Sequence, residues 1–515
     1  MDSVPSDKCR GTADGIPSPS PFLRVFRVIL FAAVSASLAF GCRSVEEKRR
    51  DRFSAIDAAA RRDFRAGNYA AVSEKLRETV SERTPELPLY HLDRASALLL
   101  SGDAKTAKRE LLEAYHSIDE EINAESERRA AGLWSGEAEK LYKGDPYERC
   151  AMCLLLALCF LDEGDADNAL AALKTGLLAD SDSEKGKYKS DFALLMFLAA
   201  KCCDIRGEPE RAREYLDAAF RAWLSFPGNA EWFADALSEA RDSFSGPDAP
   251  SGKEVLSRTL LETLSMASER SLVDALKARG MEVSEAEKTA RFGKELAKGF
   301  DVLDFNCLAV IWRGLPPEMR RLGRYGEKRV IIPGVRDGGV YDILVDGAEA
   351  RAPMDEFGDL NYQATTRGGR RMDSVLERHA FYKLATNTTS NAVLIAAAAT
   401  RSPVVSLALL GTGLVMKIVA ALMNPKADIR HWGNLPREFD VTPLSLPPGE
   451  HVLTLAKEDG GTLSKLSSRV VRIGDKPSSV AVVHFRPSPG GRGAASAAKR
   501  KKTEGNAPRE DAEGR

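Results

Sequence analysis

The sequence predicts an α+β protein in which an N-terminal α-solenoid of helical hairpins is followed by a β-sandwich-like domain with an apolar helical insert. Two observations predict this order. Four glycine-centred blocks in the first half share one spacing of alanine and leucine, and from about Asp304 the hydrophobic period changes from helical to strand-like. A third observation, an apolar run followed by a cysteine near the N-terminus, indicates a targeting segment.

The composition is that of a multidomain globular chain. The 515 residues carry a net charge of −1, with 43% hydrophobic and 29% charged residues. At about 150 residues per domain, this length predicts roughly two to four domains. The near-zero charge argues against a dedicated nucleic-acid binder, and eight cysteines are too few for a disulfide scaffold.

Residues 1–41 have the pattern of a secretory signal peptide. Arg24 and Arg27 flank the start of an apolar run from Val28 to Phe40, and Gly41-Cys42 follows it. The stretch from Leu38 to Cys42 resembles the bacterial lipobox, although its leucine lies one place early and Phe40 is bulky. The resemblance implies that residues 1–41 are removed and that Cys42 receives a diacylglycerol and a third acyl chain such as palmitate.

The alternative is an uncleaved transmembrane anchor. The run from Val28 to Gly41 has only 14 residues, whereas a spanning helix needs about 20, so we favour the lipoprotein. Residues 42–52 then form a charged tether between the lipid and the first domain. We expect a lipid-anchored protein of the bacterial cell envelope, at the outer membrane and facing the periplasm.

The four glycine blocks are the strongest internal pattern. An alanine lies seven residues before each glycine and a leucine lies nine residues after it, which is the spacing of a helix–turn–helix unit. The blocks resemble tetratricopeptide repeats, whose unit is about 34 residues. The resemblance predicts a solenoid over residues 53–240, with a helical cap over 241–300. The repeat-packing residues are Ala60, Gly67 and Leu76; Ala95, Gly102 and Leu111; Ala157, Gly164 and Leu173; and Ala200, Gly207 and Leu216.

Stacked repeats of this kind form a curved array with a concave face. We expect that face to bind a protein partner. The alternative is a spacer that holds the second half of the chain away from the membrane.

Residues 301–486 are predicted to form a β-rich domain. Short β-branched and aromatic runs are bounded by glycine and proline, and Asp346-Gly347 is a hairpin turn signal. Seven such strands suggest a β-sandwich. The predicted strands are 307–312, 329–332, 340–345, 438–446, 451–456, 468–473 and 479–485.

An apolar helical insert over 372–423 interrupts this domain. Residues 372–387 are predicted as an amphipathic helix, and Val404 to Met423 is 20 residues long, enough to span a bilayer. The alternative, which we favour, is a buried helix pair that packs on the strands. Residues 487–515 are predicted as a disordered tail with a basic run from Lys499 to Lys502.

The block A-D-x-R-x-W-x-x-L-P follows the insert and contains Asp428, Arg430, Trp432, Leu435 and Pro436. It resembles a pattern in uncharacterised bacterial lipoproteins that join tetratricopeptide repeats to a C-terminal domain. The resemblance implies no catalytic residue. We expect an Asp428–Arg430 pair beside Trp432, with the guanidinium stacked on the indole, and a structural lock between the insert and the sheet.

The cysteines of the first half do not form a credible metal site. The predicted repeat register puts Cys150 and Cys153 at a different height from Cys202 and Cys203, so four ligands do not converge. Cys159 aligns with Cys202, which leaves a disulfide from Cys159 to Cys202 or Cys203 as an alternative to buried free thiols. We favour buried free thiols.

No enzyme motif is apparent. The six histidines lack metalloprotease spacing, and there is no phosphate-binding loop, dinucleotide-binding glycine pattern or nucleophile elbow. We therefore predict a non-enzymatic, membrane-anchored scaffold that binds an envelope protein through its repeat face, with no cofactor and no nucleic-acid partner. One alternative is an export or secretion accessory whose insert enters the membrane. The other is a hydrolase, for which His431 and His451 are the only hint.

Overall fold

The fold is that of a computed structural model of the full chain. It divides into two units, Met1–Ser54 with Arg378–Asn424, and Ala55–Glu377 with Pro425–Arg515. The structure describes residues 48, 51, 52, 54–80, 84–130, 140–181, 192–244, 258–323, 328–366, 427–474 and 479–487. Almost all of these belong to the second unit. The predicted signal peptide, Cys42, the insert and the tail beyond Pro487 lie outside the described residues.

The first half of the second unit is helical. Its helices follow one another through short turns, and consecutive helices pack in pairs, α3 with α4, α5 with α6 and α7 with α8. They are α1 (54–65), α2 (Tyr69–Thr79), α3 (Leu87–Ser101), α4 (Ala104–Ala130), α5 (Pro146–Asp162), α6 (Ala166–Ser181), α7 (Ala193–Ile205), α8 (Pro209–Leu224), α9 (Asn229–Phe244), α10 (Arg258–Met266), α11 (Glu269–Ala278) and α12 (Val283–Leu296). Helix α9 runs across residue 240, where the sequence predicted the solenoid to end.

The four predicted glycines each turn the chain between two helices. Gly67, Gly102, Gly164 and Gly207 have φ angles of 80°, 92°, 78° and 70°. This left-handed conformation is one that glycine adopts without strain, and it ends a helix cleanly. The alanine seven residues before each glycine is fully buried, and the leucine nine residues after it is buried as well. Small buried residues allow the two helices of a hairpin to approach closely.

The described residues of the second half form mainly strands, together with one short helix, α13 (Leu360–Thr366). The strands are β1 (Cys307–Arg313), β2 (Glu318–Leu322), β3 (Lys328–Ile332), β4 (Val340–Val345), β5 (Glu349–Arg351), β6 (Met354–Asp359), β7 (Glu438–Leu444), β8 (Gly449–Asp459), β9 (Thr462–Ile473) and β10 (Ala481–Phe485).

The strands form two four-stranded sheets and one separate hairpin. The first sheet, here named the buried sheet, has the order β10-β1-β7-β6, in which β1 and β10 are parallel and the other pairs are antiparallel. The second, named the outer sheet, has the order β5-β4-β8-β9 and is antiparallel throughout. Strands β2 and β3 pair only with each other among the described strands.

The buried sheet packs against the outer sheet on one face. Cys307, Ala309 and Ile311, which alternate along β1, join one apolar core with Ile343 of β4 and Leu453 of β8. Because alternate side chains of a strand point to opposite faces, this core uses only one face of β1.

The other face of the buried sheet packs against helices. The N–H of Val480, just before β10, donates to the carbonyl of Leu161 in α5 (3.2 Å). The ring of Phe197 in α7 lies 6.2 Å from that of Phe357 in β6. Strands β1 and β7 are therefore buried along their whole length, as expected of strands covered on both faces.

The predicted α+β order, with helices first and strands second, is confirmed. The prediction of seven strands was wrong, since the described residues contain ten. Strand β2 was missed because three of its five residues are charged, and β5 because it has only three residues. Strand β6 was missed because a bulge between Met354 and Gly358 breaks the two-residue period on which the prediction depends.

Candidate functional site

The first helix of each of three hairpins is buried by other parts of the chain. We name α3, α5 and α7 the inner helices. In α7, 11 of 13 residues are buried, and α3 and α5 are buried nearly as completely. A helix that is buried on all sides has neighbours on all sides. Here the neighbours on one side are the buried sheet and residues 427–435, which we name the junction segment.

Trp432 is the centre of the junction segment. Its side chain is fully buried, and the indole Nε1–H donates to the hydroxyl of Ser96 in α3 (3.1 Å). Its backbone N–H donates to the carboxylate of Glu148 in α5 (2.6 Å). Leu435 and Pro436 are buried beside it. The segment therefore joins the helical half to the strands. The predicted lock between the insert and the sheet involves the insert, which lies outside the described residues.

Arg430 is held in a second set of contacts. As expected, its guanidinium pairs with Asp428, with an Nη2 to Oδ2 distance of 2.7 Å. The guanidinium also donates to the backbone carbonyls of Pro85 and Lys140 (3.1 and 2.9 Å). The expected stacking on Trp432 was wrong, because Arg430 lies over the ring of Tyr142, 5.8 Å from its centroid.

His431 is bound by the first helix. Arg61 of α1 donates to its Nε2 (2.8 Å) and to its backbone carbonyl (3.1 Å). The Nδ1–H then donates to the carbonyl of Ile429 (3.1 Å), which fixes the neutral tautomer. Burial and the nearby Arg61 charge lower the pKa of His431 to about 4.

Acidic side chains in the inner helices, or directly before them, complete the junction. Arg329 of β3 pairs with both oxygens of Asp145 (2.7 and 2.8 Å), and both side chains are buried. Burial, with the neighbouring Asp145 charge, raises the pKa of Glu148 to about 7. Burial raises the pKa of Asp93 well above its usual value. Asp145 and Glu148 are engaged within the protein, so the arrangement is that of a polar interface between two halves rather than an open site.

The cysteines predicted as buried thiols are free and buried in the structure, Cys150, Cys153, Cys159, Cys202 and Cys203 among them. The alternative disulfide of Cys159 with Cys202 or Cys203 is therefore not present. Burial raises the pKa of Cys153, Cys159 and Cys202 to about 12, which keeps these thiols protonated and unreactive.

An open groove lies between α8–α10 and β6, and we name it the aromatic groove. Its volume of about 470 Å³ suits a small ligand or a single side chain. It is lined by Trp223, Pro227, Gly228, Asn229, Trp232, Thr259, Glu262, Thr263, Met354, Glu356 and Phe357.

Two tryptophans form adjoining walls of this groove. The planes of Trp223 and Trp232 are 86° apart, with ring centroids separated by 5.9 Å. Phe357 stacks on Trp223 at 6.1 Å. Trp223 is only 5% exposed, whereas Trp232 is 41% exposed, so Trp223 is the floor and Trp232 the rim.

Two carboxylates also line the aromatic groove. Glu262 is 5% exposed and accepts from the Nε–H of Arg258 (2.8 Å). Burial raises its pKa, against the opposing effect of Arg258. Glu356 lies 3.6 Å from Arg336 and has a φ of 67°, a left-handed angle that costs a non-glycine residue energy.

Sequence reasoning missed this groove. The two tryptophans lie on either side of the Gly228 turn, which is a local signal that could have marked it. Glu356 gave no signal, because its orientation depends on the β6 bulge.

No family model matches this chain, and no curated protein matches it. Among the residues that the structure describes, no group of His, Cys, Asp and Glu could hold a metal ion. Within the same residues, no helix combines the length and apolar character required to cross a membrane.

Proposed function

We propose that this protein is a lipid-anchored, non-catalytic scaffold of the bacterial cell envelope that binds another protein. In this proposal Cys42 carries the lipid, helices α1–α8 are tetratricopeptide-like hairpins of a solenoid, and the two four-stranded sheets form a sandwich that the solenoid supports. The shared glycine, alanine and leucine positions of the hairpins support the repeat assignment.

The observation that carries the binding proposal is the exposed edge of β9. This strand has 12 residues, and among the described residues only β8 pairs with it. An edge strand offers unpaired backbone N–H and C=O groups to a second chain. Leu466 and Val470 on β9 are 46% and 65% exposed, and Val452, directly opposite Val470 on β8, is 41% exposed.

The charges of this strand favour an acidic partner. Lys465 and Arg472 of β9 are exposed. A partner segment with alternating apolar and acidic residues would add a strand to the outer sheet and pair with both kinds of side chain. The inner helices, which are covered, would then hold the outer sheet rigidly instead of binding the partner themselves.

The positions of two histidines argue for binding over hydrolysis. His431 is bound to Arg61 in the junction, whereas His451 bonds to Asp346 in the outer sheet (2.8 Å). They have different partners in different elements, so they do not make a nucleophile and base pair.

Substitution on β9 tests the binding proposal. The double variant Leu466→Lys, Val470→Lys adds charge to an exposed edge, so we expect it to fold normally. We expect the amount of partner protein recovered after crosslinking in intact cells to fall about tenfold or more. Leu178→Lys on α6 is the control, since Leu178 is 68% exposed but lies on a helix. Equal recovery of the crosslinked protein with both variants would refute the β9 site.

The anchor is tested separately by Cys42→Ala. Without the thiol no diacylglycerol can be attached, so we expect the protein to leave the membrane fraction or to retain its first 41 residues. Mass spectrometry of the N-terminus and membrane fractionation report both results. A variant that is cleaved after Gly41 and still bound to the membrane would rule out the lipid anchor.

A further inference from the structure

We infer that the aromatic groove is a binding site for an organic ammonium group. This site lies apart from the β9 edge and requires neither the lipid anchor nor the protein partner. The inference stands on the shape of the groove, its charge and the backbone of Glu356.

The shape is that of two aromatic walls at a right angle. The indole planes of Trp223 and Trp232 meet at 86°, and Phe357 supports Trp223 from a nearly parallel plane, 23° away. The faces of indole rings attract cations through their quadrupole, and the two rings, which contact each other edge to face, form one continuous aromatic surface in the groove. The 41% exposure of Trp232 leaves one wall accessible from solvent.

The charge of the lining has one sign. Glu262 and Glu356 are its ionisable residues, and no lysine or arginine is among the described residues that line it. Arg258 and Arg336 pair with these carboxylates but do not line the groove. An anion would meet two carboxylates there, whereas an ammonium group would share them with Arg258 and Arg336. Because burial already raises the pKa of Glu262, a bound cation would relieve an existing cost.

The backbone of β6 turns an extra side chain into the groove. Glu356 and Phe357 are consecutive, and in a regular strand they would point to opposite faces. Both line the groove, because the bulge between Met354 and Gly358 shifts the register and Glu356 takes a φ of 67°. A left-handed non-glycine residue in a bulge costs free energy. The geometry is explained if the Glu356 carboxylate is needed in the groove.

The test is a titration of the full chain with choline and with 3,3-dimethylbutan-1-ol, which has the same shape without the charge. Calorimetry measures affinity, and the indole N–H signals in NMR spectra locate the site. We expect choline to bind at least about tenfold more tightly than the neutral alcohol, with shifts at Trp232. N-acetylglucosamine is the third probe, because a sugar is the alternative ligand for an aromatic groove with carboxylates.

Two variants and a control complete the experiment. Trp232→Ala and Glu356→Gln should each weaken choline binding at least about tenfold. Glu231→Gln should not, because Glu231 is next to Trp232 in sequence but pairs with Arg279 outside the groove. Glu356→Gln keeps the size of the side chain, so it remains informative if Trp232→Ala fails to fold. Absence of choline binding, equal binding of the alcohol or the sugar, or an equal loss in Glu231→Gln would each overturn the inference.

Discussion

Trp432 connects two parts of the chain through one hydrogen bond from its indole and one from its backbone. Replacing it with alanine removes a fully buried ring and the hydrogen-bond donor to the Ser96 hydroxyl, so we expect a loss of about 3–5 kcal/mol in the free energy of unfolding. Because the junction segment is bound to α3 and α5, the helical half and the strands should become sensitive to protease together. Limited proteolysis of Trp432→Ala measures this.

The control for this substitution is Trp232→Ala, whose ring is 41% exposed and should cost much less. Selective digestion of the strands alone, with the helices still resistant, would show that the junction segment belongs to the β-rich half only.

His484 gives the fold an acid sensitivity. Its Nδ1 accepts from the indole of Trp312 (3.1 Å), and burial lowers its pKa from 6.5 to about 3. Below pH 6.5 the unfolded chain binds a proton that the folded chain does not bind. The stability from His484 is therefore present at neutral pH and is lost by about 1.4 kcal/mol per pH unit as the pH falls toward 3.

His484→Gln isolates this contribution, because glutamine can accept the same hydrogen bond but does not titrate. Urea unfolding from pH 7 to pH 4 should give a shallower acid loss in the variant than in the natural protein. The comparison with a variant is needed because Glu148, with a pKa raised to about 7, changes stability in the opposite direction over this range. If the stabilities of the two proteins changed in parallel with pH, the pKa of His484 would be the same in the folded and the unfolded chain.

At the scale of elements, the helical hairpins depend on small residues at fixed positions. Ala157 is fully buried on α5, a helix that packs against α6 and β10. Ala157→Trp overpacks this contact, and we expect it to cost about 1–3 kcal/mol or more. Ala171→Trp on α6 is the matched control, since Ala171 is exposed. If the two variants unfolded at the same urea concentration, α5 would tolerate the larger ring.

The same scale shows what the sequence could predict. Local patterns were sufficient for the hairpins, because each glycine turn and its alanine and leucine lie within one unit. The block around Trp432 was also visible, but its partners were not, since the contact with Glu148 joins residues 284 positions apart. The β6 bulge was invisible to a period-based prediction, and with it the orientation of Glu356 toward the aromatic groove.

At the scale of the whole molecule, the inner helices make the two halves mutually dependent. An isolated repeat array is expected to need only contacts between neighbouring units. Here α5 and α7 are also covered by strands and the junction segment, so the helical half alone would expose a continuous apolar surface. A helical half that folds by itself does not suit this arrangement.

A fragment of residues 53–300 tests that dependence. We expect it to aggregate or to bind a hydrophobic dye, and to become soluble when residues 301–487 are produced in the same cells. Size-exclusion chromatography and dye fluorescence report both states. A monomeric fragment with a cooperative melting transition would show that the inner helices need no cover.

The pairing of β10 with β1 also has a consequence for synthesis. Cys307 of β1 pairs with Ala481 of β10, so one edge of β1 stays unpaired until a strand about 170 residues later in the chain has been synthesised. A ribosome releases the helices and β1 first, and the surfaces of α5 and β1 that β10 covers stay exposed until that strand emerges. The nascent chain should therefore engage holding chaperones for most of its translation, and a stop codon placed just before residue 481 should yield a product that the cell degrades.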